Sequence, residues 1–115
     1  MTICALSSGS GQSGVAVLRI SGSETKSLIE MITKKSLPPP RKASLLKLYN
    51  INTSSLIDEG IVLWFPAPNS YTGEDMAELH VHGSRGVITE IQNNLLSTKK
   101  CRMAEAGEFT KMAFV

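Results

Sequence analysis

Asp75-Met76-Ala77-Glu78-Leu79-His80-Val81-His82 decides the fold. Ala77, Leu79 and Val81 take every second position with Glu78, His80 and His82 between them, the period of an extended chain whose side chains alternate between two faces. The stretch therefore reads as a strand with an apolar side for a core and another side carrying a carboxylate and two imidazoles. Gly83 ends it. Ser84 stands where a helix N-cap is wanted, ahead of Val87, Ile88, Ile91 and Leu95 on one helical face.

Upstream, Val15-Ala16-Val17-Leu18-Arg19-Ile20 is too continuous and too β-branched for a surface helix and reads as a buried strand. Ser21-Gly22-Ser23 closes it. Ser23 is placed to cap a helix bearing Leu28, Ile29 and Ile32, and Lys34 and Lys35 suit the negative end of its dipole. Thr2 to Leu6 reads as a further short strand. Pro38-Pro39-Pro40 is an extended connector, after which Ser44 to Tyr49 and Ile57 to Phe65 flank a polar turn at Asn50 to Ser55 as an antiparallel hairpin. Gly60-Ile61-Val62-Leu63-Trp64-Phe65 is apolar on both faces, which predicts a central strand in a sheet covered on both sides. A short extended piece around Cys101 to Ala104 precedes a second capping signal and Phe109, Ala113 and Phe114 at helical spacing. The sum is an α+β fold, a mixed and mostly antiparallel sheet of about five strands with two to three helices. The last helix is short and its apolar face open, as expected of a piece of a larger protein.

A chain of 115 residues, 42% of them hydrophobic, fits one domain with one core. Its 12 Lys and Arg against 10 Asp and Glu leave +2, short of the dense basic stripe of a protein held mainly by phosphates. The runs Lys34-Lys35, Arg41-Lys42 and Lys99-Lys100 read as solvated loops or helix ends. Cys4 and Cys101 form no C-x-x-C pattern and read as reduced core residues. With no apolar run of membrane-spanning length and no signal-peptide start, a cytoplasmic location is expected, and Asn52-Thr53-Ser54 is a chance sequon.

Several patterns bear on chemistry. Gly9-Ser10-Gly11-Gln12-Ser13-Gly14 has dinucleotide-loop spacing, but a strand follows where that site needs a helix, and Val15 and Ala16 stand where a triphosphate loop needs Lys and Ser or Thr. Ser7 to Gly14 is then either a plain turn or a ligand lid. Arg19 inside an apolar strand and Glu78 on the alternating one each need a partner if buried. They either pair as a structural bridge, the reading pattern alone favours, or share a neighbourhood that receives a polar ligand. Glu78, His80 and His82 could hold zinc or iron, although no fourth ligand is visible and a plain polar strand face is the alternative. Asp58 and Glu59 read as a turn border, Glu74 and Asp75 point apart, and no catalytic triad is legible.

Three segments together carry a resemblance: Gly14 to Gly22, Trp64 to Asp75 with Thr72-Gly73-Glu74-Asp75 running on to His82-Gly83, and Ala106-Gly107-Glu108-Phe109-Thr110. In that order they resemble the N-terminal domain of the TrmE/MnmE GTPases that modify wobble uridine in tRNA. The resemblance implies a fold similar to the folate-binding domain of aminomethyltransferases. It implies that residues 1–115 form a domain that binds 5-formyl- or 5,10-methylene-tetrahydrofolate and pairs two subunits, ahead of helical and G domains. Arg19 and Glu78 fall on two folate-contacting positions of the family, which favours the ligand reading over the structural pair; a third, basic position lies beyond Val115. A carboxylate can accept from the pterin amino and ring N–H edge, and a guanidinium can donate to a carbonyl or carboxylate.

The intact protein would form the 5-carboxymethylaminomethyl group on tRNA with a flavoprotein partner, binding GTP, magnesium and potassium in its G domain. Ser10, Gln12-Ser13 and Met112 depart from the family pattern, and His80 occupies a variable position. An assembly-only dimerisation module and a metal-binding domain remain the alternatives.

Overall fold

The computed structural model describes residues 1–7 and 14–113. Its elements are β1 (Thr2–Leu6), β2 (Val15–Ser21), α1 (Thr25–Thr33), β3 (Ser44–Tyr49), β4 (Leu56–Phe65), β5 (Met76–His82), α2 (Arg85–Ser97), β6 (Cys101–Met103) and α3 (Glu108–Ala113). Six strands form one sheet in the order β3-β4-β5-β2-β1-β6. Only the β1–β6 pair among them is parallel, so the α+β, mostly antiparallel expectation holds, with the extended piece at Cys101 supplying the sixth strand.

Alternation sorts the side chains into two faces. On one, Ala16, Leu18 and Ile20 meet Val81, Leu79 and Ala77 across the β2–β5 ladder, and Val62 and Trp64 continue the surface on β4. The apolar stripes of α1 (Leu28, Ile29, Ile32) and α2 (Ile91, Leu95) close over it and complete a single core. This burial is the main stabilising term of the domain.

The expectation of a central β4 covered on both sides is not met: β4 lies second from the sheet edge, and both core helices sit on one face. Val62 and Trp64 are buried, whereas Ile61, Leu63 and Phe65 on the other face are half-buried. A continuous apolar run here reflects a second face that is apolar but bare of core helices.

Capping follows the sequence at one helix and departs from it at the other. The Ser84 hydroxyl accepts from the Val87 N–H at 3.2 Å, as expected for α2. At α1 the N-cap is Glu24, not Ser23, and makes no side-chain cap bond. Instead the Thr2 hydroxyl accepts from the Glu24 N–H at 2.9 Å, tying the helix start to β1. Lys34 ends α1 in a left-handed conformation, and its ammonium lies 5.0 Å from the Tyr49 ring centroid, so it serves the hairpin beside the helix. Asp58 and Glu59 lie inside β4 and border no turn; the turn is Asn50–Ser55, where the Asn50 carboxamide accepts from the N–H groups of Asn52 and Thr53. Buried Asn94 of α2 ties down that turn by donating to the Tyr49 carbonyl and accepting from the Ile51 N–H. Cys4 and Cys101 are free thiols, buried side by side. Residues 8–13 of the glycine-rich loop and Phe114 lie outside the described residues.

At Gly60 β4 passes close against β5: a Cβ there would stand 2.4 Å from the His80 carbonyl oxygen. Backbone cannot yield as a side-chain tip can. Gly60→Ala is expected to cost about 1–3 kcal/mol, the ordinary cost of overpacking, read as a lower urea midpoint. An unchanged midpoint would mean the strands do not approach this closely.

Candidate functional site

The face turned away from α1 and α2 is organised in cross-strand rows. Ala5, Arg19, Glu78 and Leu63 form one row across β1, β2, β5 and β4; Val17, His80 and Ile61 form the row on one side, and Ile3, Ser21, Met76 and Phe65 the row on the other. Directly opposed residues of antiparallel strands have touching side chains. Arg19 and Glu78 are such a pair, with Arg19 Nε donating to Glu78 Oε2 at 2.9 Å. Period-two spacing puts His80 on the same face, where its Nε2 lies 3.0 Å from Glu78 Oε1. Each oxygen of this carboxylate therefore faces a different basic group.

The structural pair anticipated from pattern is thus formed, but it is not sealed: Glu78 is 16% exposed and Arg19 32%. Burial pushes the Glu78 carboxyl up, yet the hydrogen bonds from His80 and Arg19 and their nearby charges outweigh it and hold the carboxyl below its usual value. Glu78 is accordingly an ionised acceptor at neutral pH.

The loop 66–75 brings a further group to Arg19. Asp75 anchors it: its carboxylate accepts from the Ala67 N–H at 2.9 Å, and its carbonyl accepts from the Gly22 N–H at 2.9 Å and the Thr25 hydroxyl at 3.2 Å. Thr72 shares a 2.7 Å hydrogen bond with Ser21. Pinned so, the loop places the Tyr71 ring 5.3 Å from the Arg19 guanidinium carbon, within cation–π range. Tyr71 was not singled out from sequence, because only the folded loop reveals its partner. Gly22, with φ of +139°, is required where the turn after β2 passes β1, since a Cβ there would stand 2.5 Å from the Thr2 Cα.

Beside Arg19 lies a cavity of about 530 Å³, bordered by Ala5, Ser7 and the segment 103–110. Its rim is set by Glu108, which receives both terminal nitrogens of Arg102, at 2.9 and 2.6 Å, and the Glu105 N–H at 2.8 Å. The Arg102 guanidinium, and secondarily the Glu105 amide, hold the Glu108 carboxyl down at about 2. A larger cavity of about 740 Å³ lies away from this face, between the Asn50 turn and α2, lined by amides, Arg85 and Glu90.

The metal alternative is not assembled. His82 turns to the neighbouring strand, where its Nδ1 lies 2.7 Å from Asp58 Oδ1 and its N–H donates to Asp58 Oδ2. Burial pushes Asp58 up, but these bonds and the Glu59 amide leave it lowered. Among the described residues no three potential ligands converge. No helix among them is long and apolar enough to cross a membrane.

The architecture defines a one-sided α+β sheet domain with an accessible, partly buried row of charge on its bare face. The chain belongs to the family described as GTP-binding protein TrmE N-terminus, whose pattern matches residues 2–115. It is 57% identical over 114 residues to the tRNA modification GTPase MnmE of Pelagibacter ubique, covering 99% of this chain and 26% of that protein. It is 50% identical to the mitochondrial 5-taurinomethyluridine tRNA synthase subunit GTPB3 of Danio rerio, covering 98% of this chain and 22% of that protein. The tRNA modification GTPase MnmE of Zymomonas mobilis is 47% identical, with 98% and 26% covered. The chain thus spans about a quarter of the length of these relatives.

A lowered carboxyl contributes stability that is present above its ordinary value, 4.5 for Glu78, and is lost as pH falls through its folded-state value. In Glu78→Gln that contribution is absent. The stability difference between the two proteins, from urea unfolding at several pH values, is expected to be widest above pH 4.5 and to narrow below it. A gap independent of pH would mean Glu78 is not held ionised by its neighbours.

Proposed function

We propose that this domain is the reduced-folate-binding and dimerisation module of a GTPase that builds the 5-carboxymethylaminomethyl group on wobble uridine of tRNA. The observation that carries the reading is Glu78, an ionised and partly buried carboxylate open to the bare sheet face, flanked by Arg19, His80 and Tyr71. The donor set suits tetrahydrofolate. A carboxylate accepts from the amino and N–H edge of a pterin, a guanidinium has five donors of which Glu78 engages one, and Tyr71 offers an aromatic surface. The adjoining cavity is of the size that small-ligand sites commonly have. A bound 5-formyl- or 5,10-methylene-tetrahydrofolate would supply the one-carbon unit at this site.

GTP, magnesium and potassium are assigned to a G domain outside this chain, since the glycine-rich loop lacks the Lys and Ser or Thr that a triphosphate needs. A flavoprotein and tRNA are the partners of the whole protein on this reading, and its compartment is the cytoplasm. Self-association is supported by the apolar content of the face turned away from α1 and α2. There Leu45, cross-strand from Ile61, is 62% exposed, and Val15 is 55% exposed.

Isothermal titration with 5-formyl-tetrahydrofolate tests the first half. Saturable binding is expected, weakened at least about tenfold in Glu78→Ala, because a hydrogen bond to a charged group contributes about 1.5–3 kcal/mol. Full affinity in the variant would remove Glu78 from the site. Sedimentation velocity tests the second half: a dimer is expected, shifted toward monomer by Leu45→Lys. A dimer without folate affinity would favour an assembly-only module.

A further inference from the structure

We propose that His80 is a positioning residue for ligand recognition: it holds Glu78 Oε1 while Arg19 holds Oε2, fixing the carboxylate so that each oxygen keeps one acceptor site for a ligand with two adjacent N–H donors. This deepens the folate reading and rests on it.

The geometry fixes the roles. A carboxylate that is ionised can only accept, so the 3.0 Å contact requires the hydrogen on His80 Nε2. Arg19 Nε approaches the other oxygen at 2.9 Å. Two carboxylate oxygens offer about four lone-pair sites, and these two bonds fill one on each oxygen. What remains is one acceptor site per oxygen, the complement of a paired donor edge such as a 2-amino group beside a ring N–H. Without His80 the carboxylate would be held at a single oxygen and could rotate about its last bond. Locking a recognition group before the ligand arrives removes an entropic cost of binding.

His80 is itself held. It sits between Val17 and Ile61 in its cross-strand row, over the close approach of Gly60 to its own carbonyl. The charged groups around it are Arg19 on β2, Glu78 and His82 on β5, and Asp58 and Glu59 on β4, of which Asp58 engages His82. The two histidines of the alternating strand therefore have separate partners, and of the two it is His80 that contacts the Glu78 carboxylate.

The test compares 5-formyl-tetrahydrofolate with its 2-desamino analogue, which presents one donor fewer, by titration calorimetry on the wild type, His80→Leu and His80→Gln. His80→Leu is expected to weaken the amino ligand roughly tenfold and the desamino analogue only about threefold or less, so that discrimination falls, and the Gln amide is expected to restore much of it. Equal losses for both ligands would indicate a merely structural role and overturn the inference, as would unchanged discrimination. A second readout needs no ligand: the side-chain carboxyl carbon of Glu78, followed by NMR, is expected to titrate at higher pH in His80→Leu than in the wild type. An unmoved titration overturns the inference whether or not folate binds. If the wild type bound no folate while the Glu78 titration still responded to residue 80, the folate reading would fall, and His80 would stand as the residue that fixes the carboxylate.

Discussion

The contact on which the rest of the bare face depends is the cross-strand pair of Arg19 and Glu78, set by the β2–β5 register. Because side chains alternate with period two, slipping either strand of this ladder by one residue would carry its charge into the core and its leucine, Leu18 or Leu79, out of it. The core therefore enforces the pair. Ala16, Leu18 and Ile20 against Val81, Leu79 and Ala77 admit one register, and that register places the guanidinium opposite the carboxylate. Core packing and the charge pair follow from the same alignment, and neither can drift without the other.

Around that pair, polar groups are spent on holding segments in place. Asp75 satisfies the backbone of the loop that precedes it and of the turn at Gly22, which fixes the height of Tyr71 over Arg19. Thr2 caps α1 from the neighbouring strand, and Asn94 locks the hairpin turn to α2. Apart from the Asp75–Ala67 bond inside the loop, each of these bonds joins segments distant in sequence. The site row consequently sits on a framework whose 66–75 loop and hairpin turn are tied down.

This division explains what the sequence could and could not disclose. Strands with clean alternation, such as Met76–His82, and helices with an apolar stripe were legible, since burial imposes their period locally. Arg19 and Glu78 stood out as charges in apolar strands. The one-sided covering of β4 is not legible, because a run apolar on both faces has the same pattern whether its second face meets a helix or a bare surface. The α1 cap was misread for a related reason: Thr2 replaces Ser23 only through a tertiary contact. Tyr71 and the separation of His80 from His82 were equally invisible. Periodicity says which face a residue takes, whereas the choice between Glu78 and Asp58 as partner depends on how β4 lies beside β5.

The partial burial of the charge row is itself a functional constraint. A carboxylate and guanidinium fully exposed on a sheet would be screened by water and salt and would contribute little to either stability or recognition. The same pair fully buried would carry a large desolvation cost and be closed to any ligand. At 16% and 32% exposure, Glu78 and Arg19 lie between these limits. Their surroundings exclude enough water to strengthen the interaction, while the absence of a core helix on that face leaves acceptor and donor sites within reach. Covering the sheet on both sides, as the apolar run of β4 suggests in isolation, would add buried area and close the site. The one-sided packing of the helices is therefore what leaves a partly buried ion pair open to solvent on the opposite face.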